Sequence, residues 1–357
     1  MRWDERRVRP AKPVHLLAMR KLRKQRSSAE DLYKTILHKS SFGAKAYGPL
    51  ADQEAFAPET TTDRITTDTE GNRKMSDIKK EEPVCVSETG NNTAKNSLHR
   101  EIENYWTNRA GGYSLVNQEE LAGEVGGDWL GEIEKRIRAV FPSVPPKSLS
   151  VLDIGTGPGF FSIILAKAGY SVTAADFTAA MLDEARKNAG ALADRICFRQ
   201  MDAQNLTFPD GSFDIVISRN LTWNLEHPEK AYASWLHVLK KGGLLLNFDA
   251  NWYTWIYDEK MQTARQEERR IVEENGIRNF ETDPGIDEDA MDGIVRRVPL
   301  TRQNRPGWDV RTLKKLGLTD AEICVDTEIW QKVWSESEKL NYAATTPMFL
   351  VEVHKGR

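Results

Sequence analysis

From about residue 98 onward, short apolar runs alternate with segments of helical spacing. Val151–Ile154, Ser171–Ala175, Arg195–Gln200, Ile215–Ser218, Leu244–Ala250, Ala321–Ile329 and Met348–His354 read as strands. Between them lie predicted helices. Leu98–Ala110 has apolar or aromatic residues at 98, 102, 105 and 106, and Glu119–Val140 sets Trp129, Ile133 and Ile137 on one face. Phe160–Ala168 follows the first strand, and Thr178 is an N-cap ahead of a Met181, Leu182, Ala185 stripe. Glu229–Leu239, Asp258–Glu274 and Trp308–Leu316 complete the set, with turns at Pro209–Asp214 and Lys240–Gly243. This alternation predicts an α/β fold with helices packed on a largely parallel sheet.

The first 97 residues follow a different rule. Arg2–Arg26 holds ten basic residues, with Leu16, Leu17, Met19 and Leu22 in a short amphipathic pattern. Membrane-surface or RNA contact, or a presequence, is one reading; a solvated extension is the other. Ala51–Asn96 has too few large apolar residues to offset ordering entropy, so residues 1–97 are expected to be a poorly ordered basic and polar extension. Met75 inside it offers an alternative start.

Charge sharpens the division. Residues 1–97 carry 19 Lys/Arg against 14 Asp/Glu, whereas 98–357 carry 31 against 39. The folded part is acidic, which disfavours a nucleic-acid substrate. No apolar run reaches 18 residues, so no membrane span is expected. Cys85, Cys197 and Cys324 form no CxxC pair, which points to no metal site and to a reducing, cytoplasmic setting.

The candidate chemistry centres on Val151-Leu-Asp-Ile-Gly-Thr-Gly-Pro-Gly159. A strand that ends in glycines and opens a helix lets the backbone approach a ligand and offers free N–H groups. A glycine turn in a plain α/β sheet is the alternative. Asp176 ends the second strand 21 residues after Gly155, where a carboxylate can accept both ribose hydroxyls of an adenosine. A dinucleotide site calls for G-x-G-x-x-G, but the sixth position here is Phe160.

The G-x-G-x-G spacing, with Asp153 two residues before Gly155, resembles motif I of the class I S-adenosylmethionine-dependent methyltransferases. "FPDGSFDIVISRNLTWNL" resembles the fourth-strand segment of that family's UbiE-like, small-molecule branch, and "LKKGGLLL" resembles its LKPGG turn with Lys241 for proline. The resemblance covers roughly residues 98–357. It implies a Rossmann-like seven-stranded sheet of order 3-2-1-4-5-7-6, the last strand antiparallel, with S-adenosylmethionine as cofactor and S-adenosylhomocysteine as product. It implies cofactor contacts from Asp153, Gly155, Thr156, Gly157, Gly159 and Asp176, and from Asp202 and Ala203 at the adenine. Phe177 and Met181 touch adenine or pack in the core.

"YWTNRAGGYS" resembles the family's segment before motif I, which makes Tyr105, Trp106, Arg109 and Tyr113 lid candidates; helix-to-sheet packing is the alternative. Residues leaving the fourth and fifth strands lie at the ligand edge of a parallel sheet. Arg219 is expected near the methionine end of the cofactor, and Asn220, Trp223, Asn251, Trp252 and Tyr253, with Tyr105, near the acceptor. Trp255 and Tyr257 extend the aromatic cluster. About residues 256–306 are expected to cap the pocket.

The implied reaction is in-line attack by an N, O, S or C nucleophile of a small molecule on the cofactor methyl, where positioning does most of the work. Asp249, His227 and Tyr253 are the candidate bases. The alternatives are a non-catalytic cofactor-binding regulator and an RNA methyltransferase gripping through the basic N-terminus. A NAD-dependent dehydrogenase fits neither Phe160 nor the closing strand.

Overall fold

A computed structural model describes residues 98–356. The expectations for residues 1–97, Met75 and Cys85 included, fall outside the described residues. The strands are β1 Ser150–Ile154, β2 Ser171–Asp176, β3 Ile196–Gln200, β4 Phe213–Arg219, β5 Leu239–Asp249, β6 Ile323–Asp326 and β7 Phe349–His354. They form one sheet in the order β3-β2-β1-β4-β5-β7-β6. The first five run parallel, and β7 is antiparallel to β5 and β6. The expected sheet, including its inverted last strand, is the one observed.

The strand pattern divides the core into two layers. Val151, Ile215, Ile217, Leu244, Leu246 and Phe248 face helices α2 (Trp129–Val140) and α3 (Phe160–Lys167). Their alternate neighbours Leu152, Val216, Leu245, Val351 and Val353 face α5 (Pro228–Val238), with Tyr232 and Trp235 fully buried. Strands covered on both faces are apolar throughout, which is why they read as unbroken runs. Helix α4 (Ala179–Ala189) buries Met181, Leu182 and Ala185, the stripe the spacing predicts.

Three local expectations differ. The segment expected to hold Leu98–Ala110, a glycine break and a later helix is instead one continuous helix, α1 (Leu98–Ala122), followed by α2. Gly112 is there because the inserted segment crosses the helix closely: a Cβ at this position would overlap the Pro284 carbonyl oxygen. The Lys240–Gly243 turn lies inside β5, where the register with β4 shifts between Phe213 and Ile215 and Gly242 N–H donates to Lys355 C=O at 2.7 Å. β6 is four residues long rather than nine, and the stretch before β7 holds two short helices, α9 (Trp330–Val333) and α10 (Glu336–Tyr342).

Between β5 and β6 lie α6 (Glu259–Glu274), α7 (Glu288–Val295) and α8 (Gly307–Lys315). Asp258 caps α6 through Lys260 N–H and Met261 N–H, and Asp287 caps α7 through Ala290 N–H. Tyr105 of α1 packs with Trp223 after β4 and with Met291, Ile294 and Val295 of α7, forming a third apolar cluster. This cluster holds the inserted segment against the carboxyl ends of β4 and β5.

Candidate active site

A cavity of about 740 Å3 opens at the carboxyl ends of the parallel strands. That exceeds twice the ~300 Å3 at the small end of ligand sites. Its floor is the β1–α3 turn. Gly157 sits at φ +53°, and a Cβ there would meet only the Tyr113 ring, at 3.7 Å, so its backbone faces the cavity. Gly159 does not line the cavity: it is glycine because a Cβ would press to 3.0 Å on Ala185, where α3 meets α4.

Two buried carboxylates brace this turn. Asp153 accepts from Thr156 Oγ1 and Ser162 Oγ, both at 2.7 Å, tying the turn to the first turn of α3. Burial holds its pKa above the ordinary aspartate value, against the pull of those two hydroxyls. Asp176 accepts Gly157 N–H on one oxygen and Thr178 N–H on the other, both at 2.9 Å. Burial pushes Asp176 up to about 6 despite these bonds. Asp176 keeps a lone pair for a ligand hydroxyl.

Asp153, Gly155, Thr156, Gly157, Asp176, Phe177, Met181, Asp202, Ala203, Arg219 and Tyr113 all line the cavity. Asp202 is half-buried, with His99 Nε2 at 4.0 Å. The His99 ring meets Phe177 edge-on at 4.2 Å. Arg219 is not a free cation. It forms a bidentate pair with Glu120 of α1 at 2.6 and 2.9 Å, its guanidinium lying 4.6 Å over Phe160. The continuation of α1 past its glycines brings Glu120 here, a position hidden to a reading that stops the helix at Ala110.

The far end of the cavity is aromatic. Tyr105, Trp106, Asn220, Trp223, Trp252, Tyr253 and Trp255 line it, with Arg109 among them. Asn220 (φ +54°) and Tyr253 (φ +64°) both hold left-handed backbone at the ends of β4 and β5. Non-glycine residues pay for this conformation and concentrate where a ligand is gripped. Asn220 Oδ1 is buried without a hydrogen-bond partner among the described residues. Trp334 and Tyr342, from the unforeseen helical stretch before β7, complete the wall.

Several expected residues lie elsewhere. Asn251 does not line the cavity; its side chain exchanges two hydrogen bonds with the Arg305 backbone, at 2.9 and 3.1 Å. Tyr257 is 43% exposed on the outside. Asp249 is fully buried beneath the site, accepting from Arg305 Nη1 at 2.6 Å, Trp223 N–H at 3.0 Å and Ala250 N–H at 2.9 Å. Arg305 in turn pairs with Asp309, which accepts the Tyr232 hydroxyl at 2.6 Å. Asp249 is therefore a structural anchor of the β4 loop, not a base. His227 is exposed at the start of α5 and outside the cavity lining. Tyr253 faces the cavity, but burial, with Tyr105 adding to it, holds its hydroxyl well above the usual tyrosine range, so it stays protonated. None of the three candidate bases offers the cavity a free basic group.

The sheet order is the one the sequence resemblance implied, and the glycine floor with Asp153 and Asp176 lies at its carboxyl edge. Residues 152–247 match the family described as a methyltransferase domain. The chain is 37% identical over 122 residues to the demethylmenaquinone methyltransferase of Clavibacter sepedonicus, covering 34% of this chain and 48% of that one. It is 35% identical over 117 residues to the demethylmenaquinone methyltransferase of Thermus thermophilus, covering 32% and 53%. With the ubiquinone biosynthesis O-methyltransferase of Coxiella burnetii it shares 28% over 157 residues, covering 39% and 67%. The chain thus spans about half the length of the first two relatives. Among solved structures it is similar to the phosphoethanolamine N-methyltransferase 2 of Haemonchus contortus (15% identity, 72% and 60% covered, TM-score 0.47).

Proposed function

We propose that the protein moves a methyl group from S-adenosylmethionine to a small-molecule acceptor enclosed beneath the inserted segment, which acts as a cap. One observation carries this: the glycine floor with Asp176 and the aromatic ends of β4 and β5 open into a single cavity. The residues present fit the cofactor. Gly157 leaves open a surface that a Cβ would fill, and Asp176, with a lone pair to spare, would accept the ribose hydroxyls. Phe177 and Met181 would flank the adenine, beside Asp202. When bound, the cofactor supplies an electrophilic methyl group. The protein's own residues position the acceptor, and the cap with Trp223 and Tyr253 keeps water out. The curated relatives are named for demethylmenaquinone and ubiquinone biosynthesis, which supports a small acceptor over a nucleic acid.

Calorimetric titration of the full chain with S-adenosylmethionine, S-adenosylhomocysteine and NAD tests the reading, beside Asp176→Ala. Binding of both adenosyl ligands, weakened in the variant and absent for NAD, is the expected result. A folded protein that binds neither adenosyl ligand sinks the proposal.

A further inference from the structure

The acceptor end of the cavity has a distinctive charge balance. Its cations are all committed. Arg109 donates to the Pro284 carbonyl at 2.5 Å, Arg219 is held by Glu120, and Arg265 pairs with Glu281 while lying 4.3 Å over the Trp255 ring. Its carboxylates are not all matched. Glu288 and Asp289, at the start of α7, line the cavity with no ion-pair partner among the described residues. The same cavity carries a stepped aromatic wall, and the Glu288 charge acts on Tyr253 within it. Trp223 and Tyr253 have ring centroids 5.4 Å apart at 35°, and Tyr253 and Trp255 lie 6.2 Å apart at 39°. Arg265 shows that this wall already takes a cation on a ring face.

Resting on the methyltransferase reading above, we propose that the acceptor is an amine, held against Trp223 and Tyr253 below Glu288 and Asp289, and attacking as neutral nitrogen. An oxygen acceptor of the phenol type attacks best as its anion. That anion would meet unpaired carboxylates, and among the described residues the arginines at this end, Arg109, Arg219 and Arg265, are already held by other partners. A neutral nitrogen needs no counter-cation; an amine bound as its ammonium beside these carboxylates first sheds that proton to solvent. Its lone pair forms the N–C bond as the S–C bond breaks, the sulfur keeping that bonding pair. Positive charge passes from sulfur to nitrogen inside a pocket built to hold it. A primary or secondary acceptor then sheds one proton to solvent, and a tertiary one sheds none.

The test uses choline and its uncharged isostere 3,3-dimethylbutan-1-ol, titrated into the full chain with and without saturating S-adenosylhomocysteine, and followed by tryptophan fluorescence. Choline should bind beside S-adenosylhomocysteine and roughly tenfold or more tighter than the isostere, the preference expected of a cation on a desolvated aromatic face. In the Glu288→Gln/Asp289→Asn double variant that preference should shrink several-fold, with S-adenosylhomocysteine affinity unchanged. Turnover with tyramine, which offers nitrogen and phenol on one molecule, should give the N-methyl product by fragment mass. Equal affinity for the two probes, no choline binding to the complex, competition between choline and S-adenosylhomocysteine, or O-methyl tyramine would each overturn the amine assignment. All four leave the cofactor reading standing; loss of S-adenosylhomocysteine binding in the parent protein is the separate result that removes it.

Discussion

Asp249 looks like a catalytic base in the sequence and like a buttress in the structure, and the two roles predict opposite phenotypes. In Asp249→Ala, Arg305 keeps its two bonds to Asp309, at 2.9 and 2.7 Å, but loses the 2.6 Å contact to Asp249. Arg305 is only 1% exposed, so water cannot replace what is lost. Removing one partner of a buried ion pair costs about 3–5 kcal/mol, and the surviving Asp309 pair places this site near the lower end. Trp223 N–H and Ala250 N–H also lose their acceptor. At roughly 2–4 °C per kcal/mol for a domain of this size, Tm should fall by about 6–15 °C. Asp249→Asn should fall less, because a single amide oxygen still serves Trp223 and Arg305 while its NH2 faces the Ala250 N–H. Calorimetry gives Tm, and S-adenosylhomocysteine titration below the transition shows whether the floor is intact. Methyl transfer at 15 °C should stay within about tenfold of the parent for Asp249→Asn. An unchanged Tm with a loss of a hundredfold or more in kcat, the range typical of a general base, would refute this account.

Asp176 sits at about 6 in the free protein, and ribose hydroxyls are best accepted by its ionised form. S-adenosylhomocysteine affinity should therefore fall about tenfold per pH unit below 6 and level off above about 7, a profile that Asp176→Asn should flatten. In Gly112→Ala the new methyl overlaps the Pro284 carbonyl oxygen, so the cap must lift from α1; a loss of about 1–3 kcal/mol by urea denaturation is expected, with faster proteolysis of the 280–290 loop. Glu268 of α6 is buried and accepts Ala344 N–H at 2.9 Å and Thr345 Oγ1 at 2.5 Å, with burial pushing it up to about 7. Its folded pKa exceeds the unfolded value, so its contribution is whole below about 4.5 and is lost as pH rises through about 7; Glu268→Gln should gain Tm relative to the parent at pH 8 and not at pH 5.

The linear order of residues was enough for the parts governed by local rules. Val151–Ile154 and Ile215–Ser218 are apolar at every step because both faces are covered, and any such run between helical patterns makes a buried parallel strand. The glycine turn and Asp176 were legible because a backbone that approaches a ligand and a strand end that meets a ribose constrain residue type at fixed spacing. The helix through Gly111–Gly112 was not legible, since glycine breaks helices on average and only the crossing of Pro284, over 170 positions away, gives Gly112 its purpose. Glu120 on Arg219 and Arg305 on Asp249 are likewise long-range pairings, 99 and 56 positions apart in the chain. Carboxylates at strand ends look alike in sequence. Whether one faces the cavity, as Asp176 does, or lies beneath it against a buried guanidinium, as Asp249 does, is decided by which distant cation the packing delivers, because a buried charge must be paired. Sequence by itself determined the sheet and the cofactor floor; tertiary structure alone decided which of its charged groups are free to act.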